Sequence, residues 1–120
     1  MRYLMLIKHR EDYRNQTPPP GLYEAMGEFV QESFKNGTLV DTAGLKATKY
    51  GARVRLSGGK LTTIDGPFTE TKEMVGGYAI VNASSWQQAL DIANRFMNVH
   101  RVHWPEFEGE CEVRPLEDMP

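Results

Sequence analysis

RYLMLIK, residues 2–8, is apolar at both its odd and its even central positions, the pattern of a strand covered on two faces. A strand of that kind sits inside a sheet. The polar stretch HREDYRNQTPPPG, residues 9–21, then breaks the pattern, and the prolines at 18–20 forbid regular pairing while presetting the start of a helix. From there Leu22, Met26, Phe29, Val30 and Phe34 recur at helical spacing, and Asn36–Gly37 marks the end of that helix, because both residues tolerate the conformations that terminate one. TLVDTAGL, residues 38–45, reads as a second strand.

Farther out, RVRLSGGKLTTID, residues 53–65, alternates on either side of Ser-Gly-Gly and predicts a β-hairpin, an arm or edge of the fold. GGYAIVNA, residues 76–83, is a further strand apolar on both faces, and the glycines that lead it predict a bulge. A second helix follows from Trp86, Ala89, Leu90, Ala93, Phe96 and Met97, with Ser84 and Gln87 spaced as a capping box. ECEVRPL, residues 110–116, closes the chain as a strand with Cys111 and Val113 on one face. The order β, α, β, hairpin, β, α, β predicts an α+β fold over 1–120 as a single domain, a ferredoxin-like split βαβ arrangement with an inserted β-hairpin and both helices on one face. The opposite face would then expose the second apolar side of residues 2–8 and 77–82, so a homodimer packing sheet against sheet is expected.

Composition narrows the function classes. With 40% hydrophobic and 25% charged residues in 120, the chain matches an ordinary globular domain. A net charge of −2 without a basic run gives no footprint for nucleic acid. The apolar run Tyr3–Ile7 is too short for a membrane span or a signal-peptide core, and it runs into Lys8, His9 and Arg10. Cys111 is the single cysteine, which points to the cytoplasm as the compartment.

The candidate chemistry starts at DGPFTETKE, residues 65–73. Gly66 and Pro67 make a rigid corner, and Phe68 is expected to plug the core. Asp65 has two readings: a general base whose pKa rises in an apolar pocket, or a carboxylate held by the amides of its own turn. Beyond the corner, Lys72 is placed to bind a carboxylate and Glu73 to orient a ligand, against the alternative of a solvated edge of mixed charge. His9, just past the first strand, is of the side-chain type whose ordinary chemistry suits proton transfer near neutrality. Tyr78 offers a hydroxyl to a pocket, although strand aromatics more often fill cores. His100 and His103, with Glu106 or Glu108, have only weak metal-ligand spacing, so neither a metal nor a cofactor is expected. Cys111 has no histidine at a telling position, there is no Gly-x-Ser-x-Gly elbow, and SGGK opens no helix, so nucleophilic catalysis and phosphate binding are not indicated.

DGPFTETKE, with GGYAIV and the closing CEVRPL, resembles the DGPF branch of the YCII-like family across nearly the whole chain. The resemblance implies a dimeric α+β barrel in which two ferredoxin-like sheets face each other and pockets form between sheet and helices. It implies no settled activity: some members are encoded beside alternative sigma factors, and a related enzyme removes chloride from a chlorinated hydroxymuconate. The enzyme-like branch carries a His and Asp pair with the histidine on the first helix, and here that helix, GLYEAMGEFVQESFKN, has none. Two functions follow as expectations. One is a cofactor-independent acid–base enzyme, of lyase or isomerase type, acting on a small organic acid or aromatic compound through Asp65 and His9. The other is a non-catalytic metabolite-binding or sigma-factor-associated module.

Overall fold

A computed structural model describes residues 1–10, 17–68 and 74–117. It is an α+β fold built on a four-stranded antiparallel sheet. The elements are β1 (Arg2–His9), α1 (Pro20–Lys35), β2 (Leu39–Gly44), β3 (Ala52–Ser57), β4 (Lys60–Asp65), β5 (Met74–Asn82), α2 (Trp86–His103) and β6 (Gly109–Pro115), with a 3₁₀ turn at Thr48–Tyr50. The sheet runs β2-β5-β1-β6, and β3 pairs with β4 as a separate two-stranded arm. The doubly apolar strands β1 and β5 are therefore the central pair.

β1 and β5 pair Tyr3 with Val81, Met5 with Ala79 and Ile7 with Gly77, and the register slips after Ile7, opposite Gly76. That slip is the bulge expected of the paired glycines. On the other side of β1, Met5 lies opposite Val113 and Ile7 opposite Cys111. Side chains alternate across a strand, so one face carries Tyr3, Met5, Val81, Cys111 and Val113. This face meets α2, and the core is Tyr3, Met5, Leu39, Val81 and Ala83 packed with Ala89, Ile92 and Ala93. Leu4, Leu6 and Ile80 point the other way and are only half-buried.

Local chemistry sets the helix ends. Pro20 occupies the first turn of α1, and Gly37, at φ 81°, takes the left-handed backbone just beyond its end. The cap of α2 lies one residue later than the sequence predicts: Ser85 accepts from the Gln88 N–H at 3.1 Å, while the Gln88 side chain accepts from the Ser84 N–H and hydroxyl. Ser85 is the cap because its hydroxyl takes up the N–H of the third helical residue, a donor that has no partner within the helix. In the arm, Gly58 and Gly59 both have positive φ, at 58° and 75°, as a two-residue hairpin turn requires.

The DGPF corner closes the arm. The Gly66 N–H donates to Gly51 O at 2.9 Å, the Phe68 N–H donates to Thr48 Oγ1 at 3.3 Å, and the Arg53 guanidinium lies 3.8 Å from the Phe68 ring centre. The Gly66–Pro67 bond is cis. Phe68 does not join the main core as expected. It packs under Arg53 at the base of the arm, because β4 belongs to the two-stranded sheet and never enters the larger one. Among the described residues no helix is long and apolar enough to cross a membrane.

Candidate functional site

Between the sheet and the two helices lies a cavity of about 290 Å³. Met5 and Ile7 of β1, Ala79 and Val81 of β5, Phe29 and Val30 of α1, and Ile92 and Phe96 of α2 form much of its apolar wall. It is apolar because each of these elements turns its hydrophobic stripe inward. Two hydroxyls on the wall are already committed: Ser33 donates to Phe29 O at 2.7 Å and Thr42 to Tyr78 O at 2.8 Å. Among the described lining residues, the titratable side chains are His9, Tyr78 and His100.

His9 and His100 both line this cavity and both pack against Phe107, although they lie near opposite ends of the sequence. His9 is the last residue of β1, opposite Gly109, and its Nδ1 lies 2.8 Å from Arg10 O. His100 stands in the last turn of α2, with Nδ1 3.3 Å from Phe96 O. A carbonyl only accepts, so Nδ1 of His100 carries the proton and Nε2 is the basic nitrogen. Phe107 joins the two rings, its centre 6.1 Å from that of His9 and 4.8 Å from that of His100, while Phe96 lies 5.1 Å from His100 on the other side. These are ordinary aromatic packing distances. Burial among these rings lowers the His100 pKa from its usual value, and the nearby His9 lowers it further, against the Phe96 carbonyl, which raises it. His100 is thus a neutral base at pH 7.

Gly109 allows this arrangement. A Cβ there would stand 2.6 Å from Lys8 O and 2.8 Å from the Phe107 ring. Only a residue without one lets β6 pair with β1 while Phe107 stays beside both imidazoles.

The other sequence candidates fall elsewhere. Asp65 ends β4, paired with Ala52; it is exposed and is not among the residues lining the cavity. Lys72 and Glu73 lie outside the described residues. Tyr78 borders the cavity along its strand, but its hydroxyl donates to Asp41 Oδ2 at 3.0 Å, and that hydrogen bond raises its pKa. His103 is exposed, and among the described residues no group of three or more His, Cys, Asp or Glu is placed to hold a metal. Burial pushes the Cys111 thiol up to about 11, so it is protonated and faces the core. His100 is the residue that the sequence reading undervalued. Its signal was present, since Ala89, Ile92 or Ala93, Phe96 and His100 continue one buried helical stripe.

Comparison with known proteins agrees with the motif. Over 80 residues the chain is 38% identical to an uncharacterized protein of Rhizobium meliloti strain 1021, a match covering 67% of this chain and 60% of that protein's length. The family model of the YCII-related domain matches residues 1–115, and the chain belongs to that family.

Proposed function

We propose that this protein binds a small, largely apolar molecule in the cavity beneath its helices and moves a proton to or from it through His100, with His9 as the second proton-handling group. One observation carries the reading: two imidazoles, one with a lowered pKa and its Nδ1 beside a backbone carbonyl, line a mostly apolar cavity and pack on the same Phe107 ring. A neutral imidazole in such a place suits general base catalysis near pH 7. In the reaction proposed, Nε2 of His100 takes a proton from a carbon next to a carbonyl, leaving an enolate, and returns it to the same or a neighbouring atom. Asp65 then has its role in the arm and not at the reacting atoms.

The test is hydrogen–deuterium exchange at the activated methylene of 2-tetralone in D₂O, followed by NMR. The wild type is expected to accelerate exchange, and His100→Gln to lose on the order of 100-fold, the usual contribution of a positioned base. The rate should hold level at neutral pH and fall only below the ordinary imidazole range, because the base form persists above a lowered pKa. Saturable binding of 2-tetralone without accelerated exchange would overturn the catalytic reading and leave a binding module.

The same proposal places the protein in the cytoplasm as a homodimer of ferredoxin-like sheets, closed face to face as an α+β barrel. The strand order β2-β5-β1-β6 supports it, as does the half-buried strip Leu4, Leu6 and Ile80 on the face without helices. Lys8 pairs with Glu112 and, at 3.8 Å, with Glu110 beside that strip, giving it a polar border. Val54, Leu56 and Leu61 of the arm, 70%, 69% and 71% exposed, are a second uncovered apolar surface. Sedimentation equilibrium should find a wild-type dimer and a folded Leu6→Glu monomer. A monomeric wild type would refute the dimer and leave the cavity chemistry untouched.

A further inference from the structure

β3 and β4 build a ribbon with one face patterned for burial, and no described residue covers that face. Six residue pairs hold the ribbon together, from Ala52–Asp65 to Ser57–Lys60, and it joins no other strand. Residues opposite each other share a face, so Val54, Leu56, Leu61 and Thr63 lie on one side and Arg53, Arg55, Lys60 and Thr62 on the other. That alternation belongs to a sheet packed on one face and wet on the other. Yet Val54, Leu56 and Leu61 are all exposed. A two-stranded ribbon is marginal by itself and needs a further layer against its apolar side.

Area and charge both name a second copy of this chain as that layer. The protomer has 8494 Å² of accessible surface, whereas a compact monomer of 120 residues exposes about 6,600 Å². The excess, roughly 1,900 Å², is more than twice the ~800 Å² that each partner gives up in a standard interface. The half-buried strip Leu4, Leu6 and Ile80 supplies only a small part of it. Charge then decides where the arm goes. Residues 45–65 hold five cations, Lys46, Lys49, Arg53, Arg55 and Lys60, against one carboxylate, Asp65, a balance of +4. The whole chain is −2, so the remainder carries −6. Two arms facing each other would repel, whereas an arm laid on the body of another copy meets the opposite sign.

We propose that the arm is a clasp: in the sheet-to-sheet dimer each arm crosses to the other protomer and lays Val54, Leu56 and Leu61 on its acidic body. The ribbon is only two strands wide, so the long side chains of Arg55 and Lys60 reach past its edges to the rim of the contact. This inference rests on the sheet-to-sheet dimer and assigns the arm to it; the cavity chemistry does not enter.

Sedimentation equilibrium and hydrogen exchange test it together. Leu56→Thr/Leu61→Thr keeps residues that suit a strand while removing the apolar contact, and it should raise the dimer dissociation constant on the order of 100-fold. Exchange at β1 and β5 checks that the main sheet is intact in this variant. The second measurement leaves the hairpin sequence untouched. Amides of the arm should be protected in the wild-type dimer and lose that protection in the Leu6→Glu monomer, because the covering layer departs with the second copy. Leu6 lies in the other sheet, so a purely local role of the arm would not respond to it. A dissociation constant unchanged by the threonine pair, or arm exchange equal in dimer and monomer, would overturn the clasp and leave the sheet contact standing. A monomeric wild type would overturn the dimer reading and the clasp with it.

Discussion

Gly66→Ala is expected to break the corner at the base of the arm while the four-stranded sheet survives. A Cβ on Gly66 would stand 1.7 Å from Thr48 O and 2.6 Å from Thr48 C, both backbone atoms. No rotamer change relieves that overlap, so the chain must separate residues 65–68 from the turn at 48–51. The separation removes the Gly66 N–H bond to Gly51 O, the Phe68 N–H bond to Thr48 and the stacking of Arg53 on Phe68. Together these are worth about 3 kcal/mol or more, at the upper end for a single substitution. Because β3 and β4 pair only with each other, the loss should be local. Hydrogen exchange should show amides of the arm unprotected and those of β1 and β5 near wild type. Gly27→Ala is the control, since nothing lies within 4 Å of a Cβ at that position in α1. It should stabilise the helix by up to about 1 kcal/mol. Wild-type arm protection in Gly66→Ala would show that the corner does not depend on this approach.

Periodicity made the architecture legible. Residues 2–8 and 77–82 announced the central strands because their central positions are apolar on both alternating faces, as in strands flanked on both sides, and the prolines and Asn36–Gly37 fixed α1 through backbone restrictions that act locally. The glycines before Tyr78 gave the bulge for the same reason. The site was less legible, because its parts come from separate elements. His9 was named from its own chemistry, yet its partner was discounted, since a helical stripe shows which face His100 occupies and not which strand end that face meets. Asp65 drew attention for its unusual neighbours. The unusual feature that the fold shows is the close backbone approach of Gly66 to Thr48. Phe68 was misplaced because apolar character alone does not say which of two sheets a residue will serve.

Met5→Ala should separate the stability of the fold from the capacity of the cavity. Met5 is 2% exposed at the centre of β1, flanked by Ala79 and Val113, and it also lines the cavity. Truncation removes three heavy atoms, worth about 2–3 kcal/mol at roughly 0.8 kcal/mol per methylene, and enlargement of the void adds to that cost. A loss of about 3 kcal/mol is expected, read as a lower urea midpoint at unchanged slope. Met5→Leu keeps the volume and should cost less than about 1.5 kcal/mol. Ligand capacity moves the other way. Apolar voids left by truncation can stay dry and accept apolar guests, so the space vacated by the thioether becomes part of the binding cavity. The affinity of 2-anthracenecarboxamide relative to 1-naphthamide should therefore rise in Met5→Ala and stay near wild type in Met5→Leu. A stability loss with an unchanged ratio would mean that Met5 supports the core without bounding the ligand space. A raised ratio would identify the inward face of β1 as both the centre of the fold and the floor of the site.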